Sequence, residues 1–208
     1  MQSTERLPAP QRRQQILDTA LELFAERGYS ATSTRVLAQR LGVSEALIFR
    51  YFATKRDILL ALISSPNLLE LEEEIAHIAG DPHKDVEARW VAGITALLRY
   101  LRRNQRFFRI IYDEAQRDRE VANAYLEQVL ARLGKTVVGY FQESIDRGEH
   151  RRLNAGLVTT AVFGTVFNLV VVKDWLHIQD GQQLDEEQMA RELADIFLHG
   201  VLPSGKSS

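Results

Sequence analysis

The 208-residue chain contains no cysteine. That excludes disulfides, thiolate metal sites and a cysteine nucleophile, and it fits a reducing compartment. The opening stretch, MQSTERLPAPQRRQQ, is polar and lacks the apolar h-region of a secretory signal. No apolar run is long enough for a typical membrane span. The longest, Leu157 to Val172, falls short of the roughly 18 residues required and includes Thr, Gly and Asn. The expectation is a cytoplasmic protein with no membrane partner.

Chemical signatures are also missing. There is no nucleophile elbow, Walker loop or dinucleotide glycine fingerprint. The five histidines are scattered; Glu73 and His77 share a helical spacing but have no third ligand, so they read as a surface pair. No enzyme activity, metal or cofactor is expected. No Asn-Gly or Asp-Gly hairpin separates alternating runs, because RGEH and QDGQQ fall between helix-like segments.

What is present is a chain with 45% hydrophobic and 26% charged residues, ordinary for a soluble protein of one large or two small domains. The net charge of −2 hides an asymmetry. Residues 1–60 hold nine Lys+Arg against six Asp+Glu, a balance of +3; the remainder holds 17 against 22, a balance of −5. Any nucleic-acid contact therefore belongs to the first segment.

The periodicity is helical nearly throughout, and the fold class is all-α. Ile16, Ala20, Leu23 and Phe24 form one apolar face, with Pro8 and Pro10 before it and Gly28 at its C-terminal end. Ser33 caps a short helix carrying Leu37, Ala38 and Leu41, which Gly42 stops. Ser44 caps the next, with Val43 and Ile48 placed as a hydrophobic staple. Two short helices joined by a glycine-containing turn form the layout of a helix-turn-helix. Thr54 and Asp57 are spaced as a capping box, yet Lys55 and Arg56 occupy the same first turn, where cations oppose the helix dipole. A phosphate bound at that N-terminus would account for them.

On a helical wheel Leu47, Ile48, Tyr51 and Phe52 face one side; Glu45, Ala46, Phe49 and Arg50 face the other. Two readings fit the outer set. It is a solvated face with one stray ring, or it enters a major groove, using a small residue for close approach, Arg for guanine or phosphate and an apolar surface for thymine methyls.

The segment GYSATSTRVLAQRLGVSEALIFRYFATKRDILLALI, Gly28 to Ile63, closely resembles the DNA-binding segment of the TetR family of bacterial transcriptional regulators, within a match running from about Ile16 to Ile63. The likeness lies in the Gly-aromatic after the first helix, the Leu-Ala of the second, Gly-Val-Ser at the turn and Tyr-Phe-x-x-Lys-x-x-Ile/Leu at the end. It implies a helix-turn-helix DNA-binding domain over 1–60 and a helical ligand-binding and dimerisation domain over 61–208. It also implies that Ser33, Thr34 and Arg35 approach DNA at the start of the second helix. Ser44, Glu45, Ala46, Phe49 and Arg50 would form the recognition helix, with Tyr51 and Lys55 on phosphates. Phe49 stands where the family most often has Tyr, and Leu47 where a small hydroxyl residue is common, so operator sequence does not transfer from a relative.

Beyond residue 64, Pro66 and AGDPHKD break helices, and helical segments run near 84–103, 105–117, 119–147, 154–177 and 185–200. The Gly-Ser tail at 204–208 reads as frayed. Leu157 to Val172 is apolar nearly all round, and LADIFLHGVL adds a further apolar face. In proteins of the resembled family, the last two long helices pair with their two-fold copies, which suits a homodimer on a palindromic double-stranded operator; the other reading of these faces is a monomer core. Trp90, Phe107, Phe108, Tyr112, Tyr125, Phe141, Phe163 and Phe167 are candidates to line a cavity for a small-molecule effector, although aromatics at helical spacing, taken singly, are more often plain core. Arg99, Arg102, Arg103, Arg106 and Arg109 form a basic stretch, read either as a seat for an anionic ligand or as a solvated face.

The resemblance implies a repressor released by its effector. Three rivals accompany it: an activator or effector-independent regulator, an all-α ligand-binding or enzymatic protein with a vestigial DNA-binding segment, and a membrane-associated helical protein.

Overall fold

The computed structural model describes residues 7–64, 67–81, 83–178 and 185–199. The helices are α1 (Ala9–Arg27), α2 (Thr34–Leu41), α3 (Glu45–Phe49), α4 (Lys55–Ile63), α5 (Asn67–Gly80), α6 (Val86–Arg103), α7 (Gln105–Ala115), α8 (Arg119–Tyr125), α9 (Ala131–Asp146), α10 (Ala155–Val170) and α11 (Glu186–His199). α8 leads into a π-helical turn at Leu126–Leu130, and α10 into another at Val171–Trp175. No strand occurs among the described residues. The all-α expectation holds. Pro66, Gly200–Leu202 and the tail at 204–208 lie outside the described residues.

Packing divides the chain into two units. The first comprises Met1–Ser65 and Gln105–Leu130. Its core is the face read from the sequence: Ile16, Ala20, Leu23 and Phe24 of α1 are buried with Leu37, Ile48, Phe52, Ile58 and Leu59. α7 packs on α1, and α8 packs on both α4 and α7. Gly42 ends α2 at φ +67°, ψ +30°, a left-handed conformation that favours glycine, and its N–H returns to the Ala38 and Gln39 carbonyls. That reversal starts α3 across α2 after only two residues.

The second unit comprises Pro66–Asn104 and Ala131–Ser208. α6 is its centre, packed against α5, α10 and α11, with α9 against α5 and α10. Trp90 lies in its core, in contact with Phe141 (ring centroids 5.3 Å apart) and Phe197 (5.7 Å). Its indole N–H donates to His150 Nε2 at 2.8 Å. The segment Ala155–Trp175 is 21 residues long with a mean hydropathy of 2.0, enough by length and composition to cross a membrane. Among the described residues one side of it is covered. Ala155, Val166 and Val170 are buried, whereas Leu157, Thr160, Ala161, Gly164, Thr165 and Asn168 are exposed. Leu157 is 69% exposed.

Candidate nucleic-acid interface

The hydroxyls that open the three short helices act first as caps. Ser33 Oγ accepts from Val36 N–H and Ser44 Oγ from Leu47 N–H, both at 3.3 Å. Thr54 and Asp57 complete a reciprocal capping box. Each bond satisfies an N–H that the helix itself leaves unpaired.

α3 is short. Its regular part ends at Phe49, and the chain closes with Arg50 N–H on the Ala46 carbonyl and Phe52 N–H on the Ile48 carbonyl, at 3.2 and 3.0 Å. Ile48 and Phe52 anchor the inner side. Ala46, Phe49 and Arg50 are exposed, with Phe49 at 48%. Arg50 and Arg35 have no ion pair among the described residues. Arg35 of α2, Arg50 just past α3 and the exposed Phe49 ring thus form an outer face with no salt bridge among the described residues. The wheel separates the inner and outer sets as read, except that Leu47 and Tyr51 of the inner set and Glu45 of the outer set are half-buried.

Three more of the sequence-predicted residues are engaged within the protein. Thr34 Oγ1 donates to Glu45 Oε1, tying the first residue of α2 to the first residue of α3. Lys55 Nζ donates to the Tyr29 carbonyl at 2.8 Å and lies 4.0 Å from the centre of the Tyr29 ring. Desolvation holds the Lys55 ammonium below its ordinary range, with buried Glu114 opposing that shift. Arg56 is also taken: its guanidinium meets Asp118 Oδ1 and, at 2.8 Å, Glu120 Oε2. The cations in the first turn of α4 are therefore compensated by a carbonyl, a ring and two carboxylates, and need no phosphate to explain them. Their partners lie 26 and 62 residues away in sequence, beyond the reach of any local pattern.

Among the described residues, ring contacts join some of the candidate effector residues. Trp90 and Phe141 share the core of the second unit, and Phe163 stacks on Phe167, which meets Trp175. Phe108 lies edge-on to Tyr125 in the first unit, with Phe107 edge-on to Phe108. Tyr112 is 54% exposed. Open cavities lie among the described residues of the second unit. One, of about 750 Å³, runs between α5, α6 and α9 past Ala76, Arg89, Arg132, Lys135, Gly139 and Tyr140. Another, of about 1310 Å³, lies between α5, α6 and α11 over Ala88, Val91, Ala92 and Thr95. None of the aromatic candidates lines either cavity. Three residues of the basic stretch have acidic partners: Arg99 pairs with Glu74, Arg102 with Asp174 and Glu186, and Arg103 with Glu70. No group of three metal-ligating side chains occurs among the described residues.

Comparison with known proteins adds to this geometry. The family model for bacterial regulatory proteins of the tetR family matches residues 16–62, which hold α2, α3 and most of α1 and α4. An uncharacterised HTH-type transcriptional regulator, YvkB of Bacillus subtilis, is 27% identical over 189 residues, covering 89% of this chain and 95% of its own. A probable acrEF/envCD operon repressor of Escherichia coli K12 is 23% identical over 196 residues, covering 92% and 87%. Among solved structures, the TetR family transcriptional regulator PfmR of Thermus thermophilus is 26% identical with a TM-score of 0.70, covering 90% of this chain and 98% of its own. These relatives are transcriptional regulators, not enzymes.

Proposed function

We propose that this protein is a DNA-binding transcriptional regulator of the TetR family, a cytoplasmic homodimeric repressor released from a palindromic operator by a small-molecule effector; the tetR-family match over residues 16–62 and the likeness to full-length regulators support the family. The observation that carries the DNA reading is the pairing of Arg35 and Arg50, exposed and without ion pairs among the described residues, with an exposed Phe49 on a capped helix-turn-helix. In the major groove such a set would place Arg50 on guanine or phosphate and Phe49 against a thymine methyl. Arg35, Ser33 and Ser44 would approach the backbone from the helix starts, and Tyr51 would reach a phosphate at the edge.

The exposed stripe of α10 supports the dimer. Leu157, Ala161, Gly164 and Asn168 recur at helical spacing, and the small residues among them allow a second helix to approach closely. A self-complementary contact there would give two reading helices related by a two-fold axis, matching a palindromic site. The cavities of the second unit support a ligand site, and repression is the activity named for the Escherichia coli relative. A ligand releases DNA only to the extent that it binds the released form more tightly than the DNA-competent form.

The test is fluorescence anisotropy of the purified protein on a labelled duplex from upstream of its own gene, titrated with salt against a scrambled duplex. Tight, salt-sensitive and selective binding is expected. Equal weak binding to both duplexes would count against the reading.

A further inference from the structure

The acidic residue of α3 raises a problem the proposed function leaves open. Glu45 is the first residue of the helix proposed to enter the groove, beside the small, exposed Ala46. It forms no salt bridge with a cation among the described residues. A carboxylate there meets the repulsion of the DNA phosphates, so it weakens binding unless it accepts a hydrogen bond from a base edge. The structure also holds it in place. Thr34 Oγ1, from the start of α2, donates to Oε1, and both side chains are partly buried at that bond. Oε2 receives no donor from the described residues.

We propose that Glu45 selects a cytosine in each half-site and that Thr34 is a positioning residue that fixes the carboxylate for this contact. The inference rests on the DNA-binding reading above and adds the identity of one base. The chemistry of the groove edges makes the choice. A carboxylate only accepts. Guanine presents O6 and N7 and thymine O4, all acceptors, and both repel it. Adenine offers its N6 amino group beside the N7 lone pair, so one carboxylate oxygen gains while the other is repelled. Cytosine offers the N4 amino group flanked on its own edge by C5–H, so a carboxylate can approach from that side, away from the O6 of the paired guanine. Thr34 engages Oε1 and restricts the Glu45 rotamer, so Oε2 is left for the base and less ordering cost remains to be met on binding. On this account Thr34 does not touch DNA; its hydroxyl hydrogen is already given to Glu45.

The experiment selects operators from a randomised duplex pool with the full-length protein and with Glu45→Gln, Thr34→Val and Thr34→Ser, reading base preference position by position. The wild type should enrich a motif with one cytosine per half-site favoured about tenfold over other bases. Glu45→Gln should lose that preference and gain adenine, because glutamine both donates to N7 and accepts from N6. Thr34→Val should weaken the cytosine preference severalfold while the rest of the motif persists, and Thr34→Ser should restore it. A fold defect would lower enrichment at every position, so it is distinct from loss at one. If Glu45→Gln enriches the wild-type motif unchanged, base selection by Glu45 is overturned while the DNA reading stands. If Thr34→Val alone leaves the motif unchanged, the positioning role is overturned. A wild type that enriches no motif overturns the DNA reading and this inference with it.

Discussion

Lys55 Nζ sits over the ring of Tyr29 and donates to the carbonyl of the same residue, so one side chain closes the turn after α1 onto the start of α4. Phe24 meets the Tyr29 ring edge-on at 5.0 Å, continuing the contact into the buried core of α1. Lys55→Met should therefore act on stability before it acts on DNA. Loss of a charge-assisted hydrogen bond and the ring contact should cost about 1–2 kcal/mol in urea unfolding. The salt slope of DNA binding should change by less than the roughly 0.9 expected for one lost phosphate contact.

Arg50 should behave the other way. Its side chain is exposed and unpaired among the described residues, so Arg50→Ala should leave the thermal midpoint unchanged. Specific DNA binding should weaken by about 1–3 kcal/mol, as for a lost bidentate base contact. Anisotropy and a thermal melt on one preparation check both. An unchanged affinity would remove Arg50 from the readout.

These two residues show what the sequence could carry. Caps, the glycine turn and apolar periodicity are local, so α1 to α4 were legible: Ser33, Ser44 and Thr54 cap as read, and Ile16, Ala20, Leu23 and Phe24 are core. The outer face of α3 was legible for the same reason. The partners of Lys55, Arg56 and Glu45 were not, because a side-chain bond across 11 to 62 residues leaves no mark in spacing. The packing of Gln105–Leu130 with the N-terminal helices is likewise long-range. Aromatic composition marked Trp90, Phe141, Phe163 and Phe167 as apolar, but could not tell core from cavity wall.

Thr54→Ala removes the acceptor that holds Asp57 N–H at 3.1 Å and breaks the capping box of α4. A loss of about 1 kcal/mol in urea unfolding is expected. Thr54→Ser, which keeps the hydroxyl, should recover most of it.

Acid sensitivity has a named source in the second unit. Glu149 is held by Arg147, Ser144 and Arg89, and its carboxyl is drawn from 4.5 down to about 2. A depressed carboxylate pKa gives stability that is full above about 4.5 and is lost as pH falls toward about 2. Desolvation also pushes the His150 imidazole below its ordinary 6.5, so the unfolded chain takes up that proton first and stability falls as pH drops below 6.5. Glu149→Gln should flatten the fall of the thermal midpoint between pH 4.5 and 2 relative to wild type, and His150→Gln the fall just below 6.5. Parallel curves for variant and wild type would contradict this.

Leu157→Glu places a charge on the exposed α10 stripe without touching that unit's buried core. Sedimentation should show a dimer for wild type and a monomer for the variant, with unchanged helical content. A variant that remains dimeric would move the interface elsewhere.

The central claim is that two copies of α3 read DNA together across a two-fold axis. Hydroxyl-radical footprinting on the selected operator tests it most directly. Two protected half-sites with centres about 34–36 Å apart, or a multiple of one helical turn, are predicted for the wild type, with both protections weakened in Leu157→Glu. A single unpaired patch, or paired protection that survives in a monomeric variant, would contradict the account.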